Sequence, residues 1–162
     1  MYNKLFYSSA IYSGRFYIFF SALALLLGGT IYIFLRPSEH VFDRWIAAIG
    51  LDNWFDPARQ GALTPALHLP QWIVFPLPNG FWAFAYALII TSIWSGSKSW
   101  FRYLWMASIP LLVLGFEALH YTGIIRGTFC IQDIAMDVAG LTLGIAIGLT
   151  INKPNNHEKV FE

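Results

Sequence analysis

The sequence predicts an all-α integral membrane protein with four transmembrane helices and an outer interfacial helical segment between the first and second. Composition is the first observation behind this: 57% of the 162 residues are hydrophobic, 18% aromatic and only 12% charged, with mean hydropathy +0.54. Ordinary soluble domains are nearer a quarter charged. The second is distribution, since the apolar residues gather into the runs 16–35, 79–94, 103–121 and 133–151. A helix rising about 1.5 Å per residue needs about 20 apolar residues to cross a hydrocarbon core of about 30 Å. The chain divides into a membrane domain, 1–152, with an outer loop at 36–78, and a polar cytoplasmic tail, 153–162.

Residues 1–15, MYNKLFYSSAIYSGR, read as an interfacial lead-in, with Tyr2, Phe6, Tyr7 and Tyr12 suited to the headgroup level. The first run holds no charge and is flanked by Arg15 and Arg36. A secretory signal would have an apolar stretch of about 7–15 residues ending in a small-residue cleavage site, whereas this run is longer and closes on Tyr32-Ile33-Phe34-Leu35, so it is expected to stay as an anchor. Gly28-Gly29 near its outer half permit close helix approach or a bend.

In the outer loop, Val41, Trp45 and Ala48 share a helical stripe with Phe42 and Ile49 beside it, Ser38 is a candidate N-cap and Gly50 a stop. A second piece, 51–63, mixes Trp54 and Phe55 with Asp52, Asp56 and Arg59, as a helix lying in the interface plane would; a small lid over the span ends is the alternative. Pro65, Pro70, Pro76 and Pro78 are expected to break regular structure before span two begins at Asn79-Gly80. That span is short for a full crossing, and the residues before it are expected to complete its thickness. Residues 95–102 make a tight inner turn, and Pro110 is expected to kink span three. Gly140, Gly144 and Gly148 form a ridge of small residues on span four that lets another helix approach.

Cytoplasmic flanks are enriched in Lys and Arg. Lys4, Arg15, Lys98, Arg102, Lys153 and Lys159 fall on one side, and Arg36, Arg44, Arg59 and Arg126 on the other. Six against four places both termini in the cytoplasm, in a bacterial inner or plasma membrane. The lone Cys130 excludes an internal disulfide and a cysteine-based metal cluster, and a small buried apolar role suits it. A net charge of +1 with no basic stripe gives no sign of nucleic-acid binding.

Charges at mid-bilayer cost about 2.5–3.5 kcal/mol each on insertion scales, while a leucine returns about 0.3–0.6. The polar residues of the last two spans therefore stand out. Glu117, His120 and Tyr121 are spaced to share a helical face, as are Asp133 and Asp137, and Glu117 and Asp137 each lie one turn in from the outer end. The short connection 122–132 makes these helices antiparallel neighbours with Arg126 tethered above them. The expected cluster is Glu117, His120, Tyr121, Arg126, Asp133 and Asp137, open to the outer leaflet. It serves either as a structural ion-pair network or as a site for a headgroup, sugar or peptide. Two carboxylates and a histidine are necessary for acid/base catalysis but far from sufficient, so enzyme activity stays open and is the less favoured reading. No metal-binding, phosphate-loop, nucleophile-elbow or dinucleotide motif is present, and no cofactor or metal is expected.

At Glu117-x-x-His120, Arg126 and Asp133-x-x-x-Asp137-x-x-Gly140-x-x-x-Gly144 the chain resembles the VanZ-like family of small membrane proteins. The family has Gln where His120 stands and Asn where Asp137 stands. Its Lys-x-x-x-His-x-x-x-Tyr run at the start of the second helix falls on Asn79, Trp82 or Gly80, and Tyr86, of which Tyr86 alone is kept. The resemblance covers about the second half of the chain. It implies a four-helix envelope protein, adds Tyr86 to the candidate cluster, and points to antibiotic resistance, since the best-known member affects resistance to a lipoglycopeptide.

Three functions follow as expectations. The first is binding of a lipid-linked or cell-wall ligand at the outward polar cluster, with membrane lipid as the surrounding partner. The second is a homo-oligomeric scaffold or sensor subunit assembled through Gly140, Gly144 and Gly148, its tail recruiting a protein partner. The third is an intramembrane enzyme acting on a lipid headgroup.

Overall fold

The computed structural model describes residues 2–37, 41–125 and 129–151. Among them the regular structure is entirely helical: α1 (Tyr2–Leu35), α2 (Val41–Ala48), α3 (Asp52–Ala66), α4 (Gln71–Val74), α5 (Pro76–Trp94), α6 (Phe101–Tyr121) and α7 (Ile131–Ile151). Four stretches are long and apolar enough to cross a membrane: Arg15–Leu35, Gln71–Trp94, Phe101–Tyr121 and Ile131–Thr150. The candidate cap Ser38 and the tail lie outside the described residues.

α1 runs from Tyr2 as one helix of 34 residues, so residues 2–15 lead into the first span without a break. No proline interrupts that stretch, so nothing in the backbone stops the helix there. One sequence expectation is corrected: the later prolines do not delay span two. Pro76 and Pro78 sit in the first turn of α5, where backbone N–H groups have no intrahelical acceptor to lose and the fixed proline φ already suits a helix. With α4 the crossing reaches 24 residues, about 36 Å at the helical rise. Pro65 likewise lies inside α3, which ends at Ala66, and Pro110 lies inside α6, which continues to Tyr121.

Glycine closes two helices by the same device. Gly50 and Gly123 both have φ +73°. Gly50 N–H donates to the Ala47 carbonyl and Leu51 N–H to the Ile46 carbonyl, and Gly123 and Ile124 repeat the pattern on His120 and Leu119. These paired bonds satisfy carbonyls that a helix end leaves open, and the left-handed φ suits glycine.

The central helix is α5. It packs most extensively against α7, then α1, then α6, while α6 and α7 meet over a shorter stretch. Where α5, α6 and α7 converge, Ala83, Ala87, Ile90, Ile109 and Leu141 form a buried core with Tyr86, Val113 and Ile145 around it. The α5–α7 approach depends on missing side chains. A Cβ at Gly140 would strike the Gly80 carbonyl oxygen, one at Gly144 would lie 2.6 Å from the Phe84 carbonyl oxygen, and one at Gly148 would lie 2.8 Å from the Thr91 side chain. On the other side of α5, a Cβ at Gly28 would come within 2.8 Å of Trp82 Nε1, and Ser21 Oγ donates to the Ala85 carbonyl at 3.3 Å. Ile18, Leu26, Leu111 and Leu143 point outward, as lipid-facing side chains do.

The short helices α2 and α3 are fastened to this bundle. Arg59 donates to Asp43 at 2.8 Å and to the Arg36 carbonyl at 3.1 Å, tying α3 to α2 and to the end of α1. Phe34 and Phe55 rings pack 5.4 Å apart beside this contact.

Candidate functional site: an acidic cavity at one end of the bundle

A cavity of about 410 Å³ opens between α5, α6 and α7. From α5 it takes Asn79, Trp82, Ala83 and Tyr86, whose spacing of three, four and seven residues places them along one helical face. From α6 come Leu112, Val113, Phe116, Glu117 and His120, and from α7 comes Asp137. The α6 wall reaches the molecular surface, because Leu112 and Phe116 are exposed.

The carboxylates are deeply placed. Glu117 is 7% exposed and Asp137 5%. Glu117 Oε1 lies 3.6 Å from His120 Nδ1, beyond hydrogen-bond reach but within ion-pair range. Glu117 Oε2, Asp133 Oδ1 and His120 Nδ1 are buried with no hydrogen-bond partner among the described residues. Glu117 and Asp133 both lie near enough to repel a charge on Asp137. Leaving a buried polar group unpaired costs about 1–3 kcal/mol, and more when it is charged, so the fold holds unfilled hydrogen-bond acceptors against an apolar wall.

The expected cluster is thus brought together in part. Glu117, His120 and Asp137 line one cavity, and Tyr86 joins them from α5, its hydroxyl 2.7 Å from Ser108 Oγ. Asp133, one turn beyond Asp137 on α7, feels Glu117, Arg36 and His120 electrostatically without lining the cavity. Tyr121 does not line this cavity. It is exposed, its ring 5.2 Å from Phe129, and it lines a second hollow that Glu117 lines too, on the far side of Glu117 from His120, because a one-residue step from His120 turns a side chain by about 100° around the helix. Arg126 lies outside the described residues. Cys130 is half-buried. Gly140, Gly144 and Gly148 face α5 of the same chain.

Among the described residues, the basic residue placed near Asp133 is Arg36, read from sequence only as a flanking charge. Its guanidinium donates to the Phe75 carbonyl at 2.6 Å and to the Val74 carbonyl at 3.4 Å, and lies 4.5 Å from the centre of the Tyr32 ring. These carbonyls belong to the break between α4 and α5, so Arg36 joins the end of α1 to the start of the central helix. Burial lowers the pKa of its guanidinium, and the fields of Tyr32 and Asp133 oppose that shift. Asn79 and Trp82 also escaped the residue-by-residue reading, although their spacing with Tyr86 carried the signal.

No group of three or more His, Cys, Asp or Glu side chains among the described residues is arranged to hold a metal ion. Compared with protein-family profiles, curated proteins and solved structures, the chain has no match. The VanZ-like resemblance therefore rests on the sequence positions given above.

Proposed function

We propose that this is a VanZ-like multipass protein of the cell envelope that binds a lipid-linked or cell-wall ligand in the cavity between α5, α6 and α7. The observation that carries this reading is the pair Glu117 and Asp137: two carboxylates, each more than nine-tenths buried, on the wall of one cavity, with Glu117 Oε2 lacking a partner among the described residues. A structural ion-pair network would fill this acceptor, since intramembrane charges are ordinarily tolerated by pairing. An open cavity with an unfilled acceptor is what a donor-bearing ligand requires. The protein sits in an inner or plasma membrane with both termini cytoplasmic, so the cavity opens toward the outer leaflet. There α2 and α3 lie in the interface plane with the exposed Trp45, Trp54 and Leu67 among the headgroups.

The scaffold reading is the weaker one, because the glycine ridge that would have joined copies is already occupied by α5.

Native mass spectrometry of the protein extracted with its lipids tests the proposal. The wild type is expected to retain a lipid-linked or cell-wall adduct that Glu117→Gln and Asp137→Asn each lose. A wild type stripped bare under conditions that preserve its fold would overturn it.

A further inference from the structure

We propose that the group recognised in this cavity is a primary ammonium, carried by an amphiphile whose apolar part leaves past Leu112 and Phe116. This rests on the binding role proposed above and names the chemistry of what is bound. The charge on the walls is the first argument. Among the described residues, the titratable side chains lining the cavity are Glu117, Asp137, His120 and Tyr86, with no Lys or Arg. From the flanking elements, Asp133 adds another carboxylate and Arg36 is the facing cation, but its guanidinium is directed onto the Val74 and Phe75 carbonyls. Among the described residues, a phosphate or carboxylate headgroup would meet carboxylates without a free cation to offset them, whereas a cation is attracted.

Hydrogen-bond stoichiometry points the same way. An ammonium presents three donors and no acceptor, Glu117 Oε2 is a buried acceptor without a donor among the described residues, and the Asp137 carboxylate stands on the same wall. A quaternary ammonium would supply the charge and leave the Glu117 oxygen unfilled. Trp82, Tyr86 and Phe116 add aromatic walls, and aromatic rings favour a nearby cation. The exit is apolar: Leu112 and Phe116 line the cavity and are 47% and 57% exposed, so a hydrocarbon tail can follow them to the lipid-facing surface.

The test titrates full-length protein in neutral maltoside micelles with dodecylammonium, dodecyltrimethylammonium, dodecyl phosphate and dodecanol, reading adducts by native mass spectrometry. Dodecylammonium is expected to half-saturate at a concentration at least about tenfold lower than the other three, and Glu117→Gln and Asp137→Asn are each expected to erase that preference. Displacement of bound dodecylammonium by phosphatidylethanolamine would support a membrane lipid as the source, and displacement by soluble ethylammonium a free amine. Equal or tighter binding of dodecyl phosphate, dodecanol or the trimethylated amine would overturn the ammonium assignment and leave the binding role standing. Binding of none of the four would overturn both. The wild-type series gives its answer even where a variant fails to fold.

Discussion

Glu117 shows how far a single side chain can decide between structure and function. Its side chain is 9% exposed, one oxygen faces His120 at 3.6 Å, and the other has no partner among the described residues. Removing one member of a well-made buried ion pair costs about 3–5 kcal/mol, because it strands the other charge. Neutralising a charge that is already stranded does the opposite, and binding sites commonly carry such local instability. Glu117→Gln keeps the shape, and the new amide donors face neighbouring carboxylates. The empty variant is expected to gain about 1 kcal/mol in thermal unfolding followed by intrinsic fluorescence in micelles; a loss of about 3 kcal/mol would identify a structural pair. At this scale the sequence was partly legible. Glu117, His120 and Asp137 stood out because charges in greasy runs are rare, whereas Arg36 did not, since a basic residue just after an apolar run has an ordinary explanation as an anchor. Only the folded chain brings it to Phe75.

Among the elements, the α5–α7 contact is the most demanding. Gly140 would place a Cβ against the Gly80 carbonyl oxygen, and backbone cannot move aside as a flexible side chain can. Gly140→Leu is expected to destabilise by at least the roughly 1–3 kcal/mol typical of overpacking and to disorder the cavity, since Asp137 lies one turn away on the same helix. Gly29→Ala supplies the contrast. Nothing lies within 4 Å of its added Cβ, and alanine gains about 1 kcal/mol of helix propensity over glycine. Thermal unfolding of the two variants should therefore move in opposite directions; similar losses for both would deny the ridge its special role. Small residues at four-residue spacing showed in the sequence that a helix could approach this face, but not which helix. The short 122–132 connection drew attention to α6, while α5 is the principal neighbour. The prolines misled for a physical reason: a proline at a helix start looks in sequence like one that ends a helix, and only the donors it does or does not remove distinguish them.

For the whole molecule, the runs of apolar residues disclosed four crossings because span length is fixed by the bilayer, a constraint outside the chain. Their arrangement around α5 was hidden, because lipid-facing and core-facing leucines look alike in composition. Orientation depends on six basic residues on one side against four on the other, and it governs what the cavity can reach. With an even number of crossings the termini share a side, as do the α1–α5 connection and the α6–α7 connection. Cysteine labelling checks this in a Cys130→Ser background. Thr122 at the end of α6 and Ser99 in the turn before it are both exposed at opposite ends of one crossing. In intact cells a membrane-impermeant maleimide is expected to label Thr122→Cys and to reach Ser99→Cys only after permeabilisation. The reverse pattern would turn the end bearing Glu117 and His120 toward the cytoplasm. A cell-wall ligand could not then reach the cavity, whereas an amine-bearing lipid of the inner leaflet still could, so labelling also separates the proposed role from the proposed chemistry.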